Sequence, residues 1–348
     1  MTTQWMLNTH GNPLGAVRHF TDAIWQTLGI EKMIAPLNGH SEHTGPHILQ
    51  HPAEISDINP FTPLMPLNAA KMVPALLREA TPGKAAAMLR PCEMRTLVEM
   101  SKHEGFTLDG LLTICVDCLG TLPADEYRWR AERKSSSSEL SQEALQFSRQ
   151  GGIVRYRYRA ACQVCISPEA TLADINIGIL GLPVRQAVLI TIADAELAKK
   201  LNLSELAETE FDAELLETHE RVTARLVQRS ENTRERIANG LGGLLPANVS
   251  ALVEQLNHCG DCNTCMNVCP LCDIHYPQRD EKGHLIESEA MRWLISCAGC
   301  GMCEQACPQH LPLSIIFNHI QSQLASEFDY RAGVSFDQQL IQFFTHPR

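Results

Sequence analysis

A chain of 348 residues with 44% apolar and 20% charged side chains is ordinary globular material, too long for one hydrophobic core, so two or three domains are expected. Its net charge of −11, from 29 basic and 40 acidic residues with no Lys or Arg block, repels phosphate backbones and argues against nucleic acid as a partner. No apolar run approaches bilayer length, and MTTQWMLNTHG at the start has neither the basic nor the apolar region of a secretory leader, so a cytoplasmic chain without a transmembrane segment, or one on the inner face of a membrane complex, is expected.

Leu14, Val17, Phe20, Ile24 and Leu28 recur at helical spacing and predict a helix over 14–28. The stretch from Pro36 to Pro66 is proline-rich and reads as irregular. Its His40, His43 and His47 have no thiol or carboxylate pattern beside them and read as a solvated loop rather than a metal site. NAAKMVPALLREA predicts a helix capped by Asn68 and kinked at Pro74. KAAAMLR reads as a short buried strand, CEMRTLVEMSKHEG as a helix and LLTICVD as a second strand, with further strands in ADINIGIL and RQAVLITIAD. The intervening ERKSSSSELSQ (132–142) reads as a polar linker or surface insertion. Strand alternating with helix predicts an α/β layer with parallel pairing.

A polar helix from about Asp212 to Asn239 carries Leu215, His219, Val222, Leu226, Thr233 and Ile237 on one face. NGLGGLLPAN then breaks the pattern. No strand precedes its glycines, so they read as a helix stop rather than a dinucleotide fingerprint. Segments beyond Pro246 look helical, with cysteines between them. The expected division is an α/β domain over 1–245, a two-cluster ferredoxin-like domain over 246–325 and a tail over 326–348.

Fourteen cysteines without a leader point to metal rather than disulfides. CGDCNTCMNVCP from Cys259 and CAGCGMCEQACP from Cys297 repeat one pattern, C-x2-C-x2-C-x3-C-P. In such a run three thiolates wrap one 4Fe–4S cluster, and the fourth, turned aside by proline, reaches the neighbouring cluster. The spacing therefore assigns Cys259, Cys262, Cys265 and Cys307 to one cluster, and Cys297, Cys300, Cys303 and Cys269 to another. Structural zinc favours two well-separated C-x2-C pairs and accounts less well for two complete motifs. Helical flanks and the absence of hairpin signals favour a helical ferredoxin over the β-hairpin type, and Cys272 reads as packed or spare. Of the upstream cysteines, Cys92, Cys115, Cys118, Cys162 and Cys165, four converging on a third cluster and five scattered core thiols are both compatible with the residues alone.

NAAKMVPALLREATPGKAAAMLRPCEMRTLVEMSK, LLTICVDCLGT, CQVCISPEATLADINIGILG and the cluster pair, in that order, resemble the beta subunits of coenzyme F420-reducing hydrogenase and formate dehydrogenase, over roughly Pro13 to Pro312. The resemblance implies FAD beside the iron–sulfur clusters. It also implies a third cluster on Cys92, Cys118, Cys162 and Cys165, since a cysteine two residues before glycine matches Cys118 and leaves Cys115 spare. The flavin is implied near NAAK, where Asn68 and Lys71 at a helix N-terminus suit a pyrophosphate; the same two residues read equally well as a cap and a solvated lysine.

The expected function is electron transfer between a large Mo/W-pterin formate dehydrogenase or hydrogenase subunit and a soluble carrier (coenzyme F420, ferredoxin or nicotinamide). A stand-alone reductase of the same family and a pure conduit that has lost its flavin are the alternatives. The chain has neither the length nor the motifs for a formate-oxidising pterin site of its own.

Overall fold

The computed structural model describes residues 3–38, 44–103, 106–136, 138–151, 157–202, 208–209 and 212–341. The chain forms two compact units. The first is Met1–Met94, Leu108–Arg159 and Ile166–Arg229; the second is Arg95–Thr107, Ala160–Cys165 and Ser230–Arg348.

The first unit is built on a mixed sheet of β1 (Thr3–Asn8), β2 (Lys32–Leu37), β3 (Gly45–Leu49), β4 (Ala85–Leu89), β5 (Leu111–Val116), β6 (Ile175–Gly178), β7 (Ala187–Ile192) and β8 (Glu208–Thr209), in the order β3-β2-β4-β5-β6-β7-β1-β8. The four central strands are parallel, with Lys32 opposite Ala85, Ala85 opposite Leu111 and Ile114 opposite Ile175. Antiparallel strands flank them: β3 on one side, then β7, β1 and β8 on the other.

Alternation gives the parallel strands two faces. Met33, Ala35, Ala86, Met88, Ile114, Val116, Ile175 and Ile177 share an apolar cluster with Val17, Phe20, Ile24 and Trp25 of the helix Pro13–Leu28. Asn12 caps that helix by accepting from the Gly15 N–H at 3.0 Å, and Gly29 ends it in the left-handed region at φ 60°. The other face alternates out of that cluster through Ile34, Ala85, Ala87, Leu89, Thr113 and Cys115, all buried.

The proline-rich stretch contains more order than its sequence suggests: β3 and a 3-10 helix, Pro52–Asp57. Pro36 stands opposite Pro46 and beyond Ile34, where pairing with β4 stops, so its missing N–H costs no bond to β4. His47 lies in β3, half-buried, while His40 and His43 lie outside the described residues. At Pro74 there is no kink within one helix. A 3-10 turn, Ala69–Met72, gives way to an α-helix, Val73–Glu79, with proline in its first turn, where a missing N–H is harmless. The serine tract is partly helix as well. Glu139–Gln146 buries Leu140, Ser141, Ala144 and Leu145, and Asn59 Nδ2 donates to Ser141 Oγ at 2.9 Å. On the long helix Ala213–Leu241, Val222 and Leu226 pack with Leu180.

The second unit is mostly short helices: Val249–Asn257, Thr264–Asn267, Pro270–Ile274, Glu287–Ile295, Met302–Ala306 and Leu313–Phe328. Leu252, Met266, Leu294, Ile320 and Leu324 form its core with Trp293 and Phe317, whose rings meet edge-on at 5.0 Å. Tyr330, beyond residue 325, is 1% exposed. Its hydroxyl donates to the buried Glu99 at 2.6 Å and accepts from Lys102 at 2.9 Å, while the Gly333 N–H donates to Glu99 at 2.7 Å. Among the described residues no helix is long and apolar enough to cross a membrane.

Candidate redox and metal site

The second unit gathers the C-terminal thiols onto helix ends and tight turns. Cys259 follows the helix Val249–Asn257, and the Cys262 N–H closes back onto its carbonyl at 3.2 Å. Cys269 occupies the N-cap position of Pro270–Ile274, while Cys303 lies in Met302–Ala306 and Cys307 directly follows it. The proline after each fourth cysteine thus turns the chain where the sequence predicts.

Electrostatic neighbours sort the thiols into two sets. Burial pushes the Cys265 thiol up to about 11, and the nearby charges of Cys259, Cys262 and Cys307 push the same way. Cys259 is raised by burial and then by Cys262 and Cys307. In the other set burial pushes Cys297 up to about 12, helped by Cys300 and Cys269. Cys303 is raised by burial and then by Cys297, Cys300 and Cys269, with a further push from Cys265 of the first motif. The fourth cysteine of each motif is thus among the electrostatic neighbours of the other motif's thiols. Cys259, Cys265, Cys297 and Cys303 resist ionising where they are buried among other thiols, and a cationic core bound there would offset that cost.

Among the described residues no group of three His, Cys, Asp or Glu side chains is placed to hold a single metal ion. The all-thiol donor set is compatible with iron–sulfur clusters. Cys272 is buried at 2% exposure and donates its S–H to Cys269, which draws the Cys269 thiol down to about 7. Cys272 belongs to the packing around the site.

In the first unit Cys92 lies in the opening turn of Pro91–Met100, its Sγ 4.0 Å from Met65 Sδ. Cys118 comes just past the end of β5. Its N–H donates to the Pro168 carbonyl at 2.8 Å, and its Sγ accepts from the Gly120 N–H at 3.4 Å. Gly120 is required there: its φ is +105°, and a Cβ would stand 2.6 Å from the Tyr158 ring. Cys115 is instead within β5 and fully buried. In the second unit Cys162 and Cys165 share one turn, the Cys165 N–H reaching the Cys162 carbonyl at 3.5 Å.

The turn at Asn68 has a different internal logic. Asn68 is fully buried and accepts from the Ala70 N–H at 3.0 Å, the Ala69 N–H donates to Glu93 at 3.1 Å, and the Lys71 N–H to the Asn68 carbonyl at 3.1 Å. These three backbone donors are engaged within the protein. Glu93 and Arg90 are structural residues that the sequence reading missed. Arg90 Nη2 holds the carbonyls of Thr62 and Leu64 at 2.9 and 2.8 Å, and Glu93 takes the Arg90 N–H at 2.8 Å.

Also missed is a buried charge cluster next to Cys118. Asp117, 4% exposed, accepts N–H groups from Ala170 and Ile179 at 2.7 Å and from Leu180 at 3.0 Å. His219 lies 3.7 Å from Asp117 and 3.4 Å from Glu169, and its Nδ1 meets the Leu180 carbonyl at 2.7 Å. Burial alone would lower His219, but the Glu169 hydrogen bond and the Asp117 charge outweigh it and raise it to about 9. Burial raises Asp117, against the pull of His219 and the three amides. His219 also lines a cavity of about 330 Å³ with Gln4, Glu169, Asn176, Thr191 and Glu220. The signal in the sequence was a histidine on the apolar face of a helix.

An α/β unit, and a mostly helical unit rich in cysteine, are compatible with a protein that carries iron–sulfur clusters. No family profile matches the chain. Over 311 residues, 77% of the chain and 78% of the relative, it is 22% identical to the F420-dependent formate dehydrogenase subunit beta of Methanocaldococcus jannaschii, a distant relationship.

Proposed function

We propose that the chain is the flavin and iron–sulfur subunit of a larger redox complex. It passes electrons between a Mo/W-pterin formate dehydrogenase or hydrogenase catalytic subunit and a soluble carrier such as coenzyme F420, ferredoxin or nicotinamide. The observation that carries this reading is that the repeated motifs meet across one another, Cys307 being a neighbour of Cys265 and Cys269 a neighbour of Cys303. Two clusters so linked lie close enough to exchange single electrons. The distant relative, by its name a subunit of an F420-dependent formate dehydrogenase, supports the same direction.

Cys259, Cys262, Cys265 and Cys307 hold one 4Fe–4S cluster in this reading, and Cys297, Cys300, Cys303 and Cys269 hold the second. Cys92, Cys118, Cys162 and Cys165, matched through the family resemblance, hold the third. FAD when bound takes two electrons from a hydride and releases them singly, which joins hydride carriers to clusters. Its position, near the turn that carries Asn68 and Lys71, rests on the resemblance. Residues 246–325 are the cluster relay and 1–245 carry the flavin.

The test is anaerobic purification from the native cell followed by single-mixing kinetics. The protein is expected to bring FAD and a large pterin-containing subunit with it. Its flavin should be reduced by formate or hydrogen only when that subunit is present, and be reoxidised by one soluble carrier. A flavin-free protein, or full turnover of a small substrate by the isolated chain, refutes the proposal.

A further inference from the structure

Three arginines from separate segments each hold the loop between two candidate ligand cysteines. Arg279 Nη2 donates to Asn263 Oδ1 at 2.8 Å, between Cys262 and Cys265, and its Nη1 is anchored on the Gly283 carbonyl at 2.8 Å. Arg95 Nη2 donates to the Ala298 carbonyl at 2.8 Å, between Cys297 and Cys300. Arg234 Nε donates to the Val164 carbonyl at 2.7 Å, between Cys162 and Cys165. All six groups belong to the second unit.

A backbone bond from Cys165 to Cys162 already closes the loop that Arg234 holds, and bonds from Cys262 to Cys259 and from Cys297 to Leu294 fix the turns leading into the other two. Around Cys297 the arrangement goes further. Gln321 takes the Cys297 carbonyl and Arg95 the next one, while the Gly299 N–H donates to Cys297 Sγ at 3.4 Å. Two carbonyls at this turn are engaged by side chains, and one amide donates to the sulfur.

We propose that Arg279, Arg95 and Arg234 are dedicated counter-charges, one for each cluster, that set the three reduction potentials separately. The inference rests on the cluster reading above. A cubane with four thiolates is an anion, and one-electron reduction adds a further negative charge with no proton required. A fixed cation beside it stabilises the reduced form more than the oxidised one and raises the potential. Guanidinium suits the task, because it does not lose its proton and its fork binds a loop acceptor while keeping its charge in place.

The test uses the full-length protein, purified without oxygen and titrated with dithionite as reductant while cluster signals are followed by electron paramagnetic resonance. Glutamine at each position keeps an amide donor for the loop and removes the charge; lysine keeps the charge. Arg95→Gln is expected to move one signal to lower potential by at least a tenfold change in its redox equilibrium, about 59 mV for one electron. Arg279→Gln is expected to move a different signal, and the lysine variants to restore most of each shift. Unshifted signals at wild-type iron content overturn the proposal, as does a single signal that answers to both variants. Loss of one cluster in the Gln and Lys variants alike marks a mechanical clamp and also overturns it. A wild-type protein with no iron–sulfur signal refutes the underlying cluster reading instead, which keeps the two failures apart.

Discussion

Replacing His219 with glutamine removes the cation that faces the buried Asp117 carboxylate, and the cost should depend on pH. In the fold His219 is raised from 6.5 to about 9. A shift of that size corresponds to about 3 kcal/mol of preference for the folded, protonated form, at roughly 1.4 kcal/mol per unit. Because the folded value lies above the unfolded one, this stabilisation is complete below about pH 6.5. It fades as pH rises and is gone once pH passes about 9. Urea unfolding of wild type and His219→Gln at pH 6 and pH 9.5 reads the difference. The stability gap between the two proteins should shrink by about 3 kcal/mol at the higher pH, leaving only the packing loss. Histidine NMR across the same range gives the ionisation of His219 directly. A gap that is equal at both pH values, or a His219 that titrates at or below 6.5, refutes the reasoning.

Cys118→Ser is expected to lose one cluster's iron, because Cys118 is the cysteine of the C-x-G element at the end of β5. Cys115→Ser and Cys272→Ser should leave iron content unchanged, and Cys115→Ser should cost about 1–3 kcal/mol in urea unfolding for the polar group placed within the sheet. Iron lost from Cys115→Ser but retained in Cys118→Ser would reverse the assignment. Tyr330→Phe leaves Glu99 and Lys102 short of a partner in a buried site and should destabilise the protein by about 1–3 kcal/mol, read from the urea midpoint; an unchanged midpoint removes this network from the account.

The helix Pro13–Leu28 was legible because Val17, Phe20 and Ile24 form an apolar stripe and Gly29 stops it. β4 and β5 were legible because they are short continuous buried runs with helices after them. β3 was hidden, since Pro36 and Pro46 argue against strands and only the edge position of their pairing makes them harmless. β1 was hidden too: its six residues, TQWMLN, put Met6 and Leu7 side by side in the core and break the alternation that marks a strand. At the candidate site, the two cysteine motifs were visible as spacing, because a thiol repeat is a local signal. The Asp117–His219 pairing and the arginine on each cysteine loop could not be read this way. The Asp117–His219, Arg95 and Arg234 contacts join segments far apart in the chain, and a lone histidine or arginine on a helix carries no mark of the carboxylate or carbonyl it will meet.

Metal and acid-labile sulfide analysis of the full-length protein, purified without oxygen, tests the central claim most directly. The account predicts about twelve irons and as many sulfides per chain, four of each per cluster, with little zinc. Stoichiometric zinc with no iron or sulfide would contradict it.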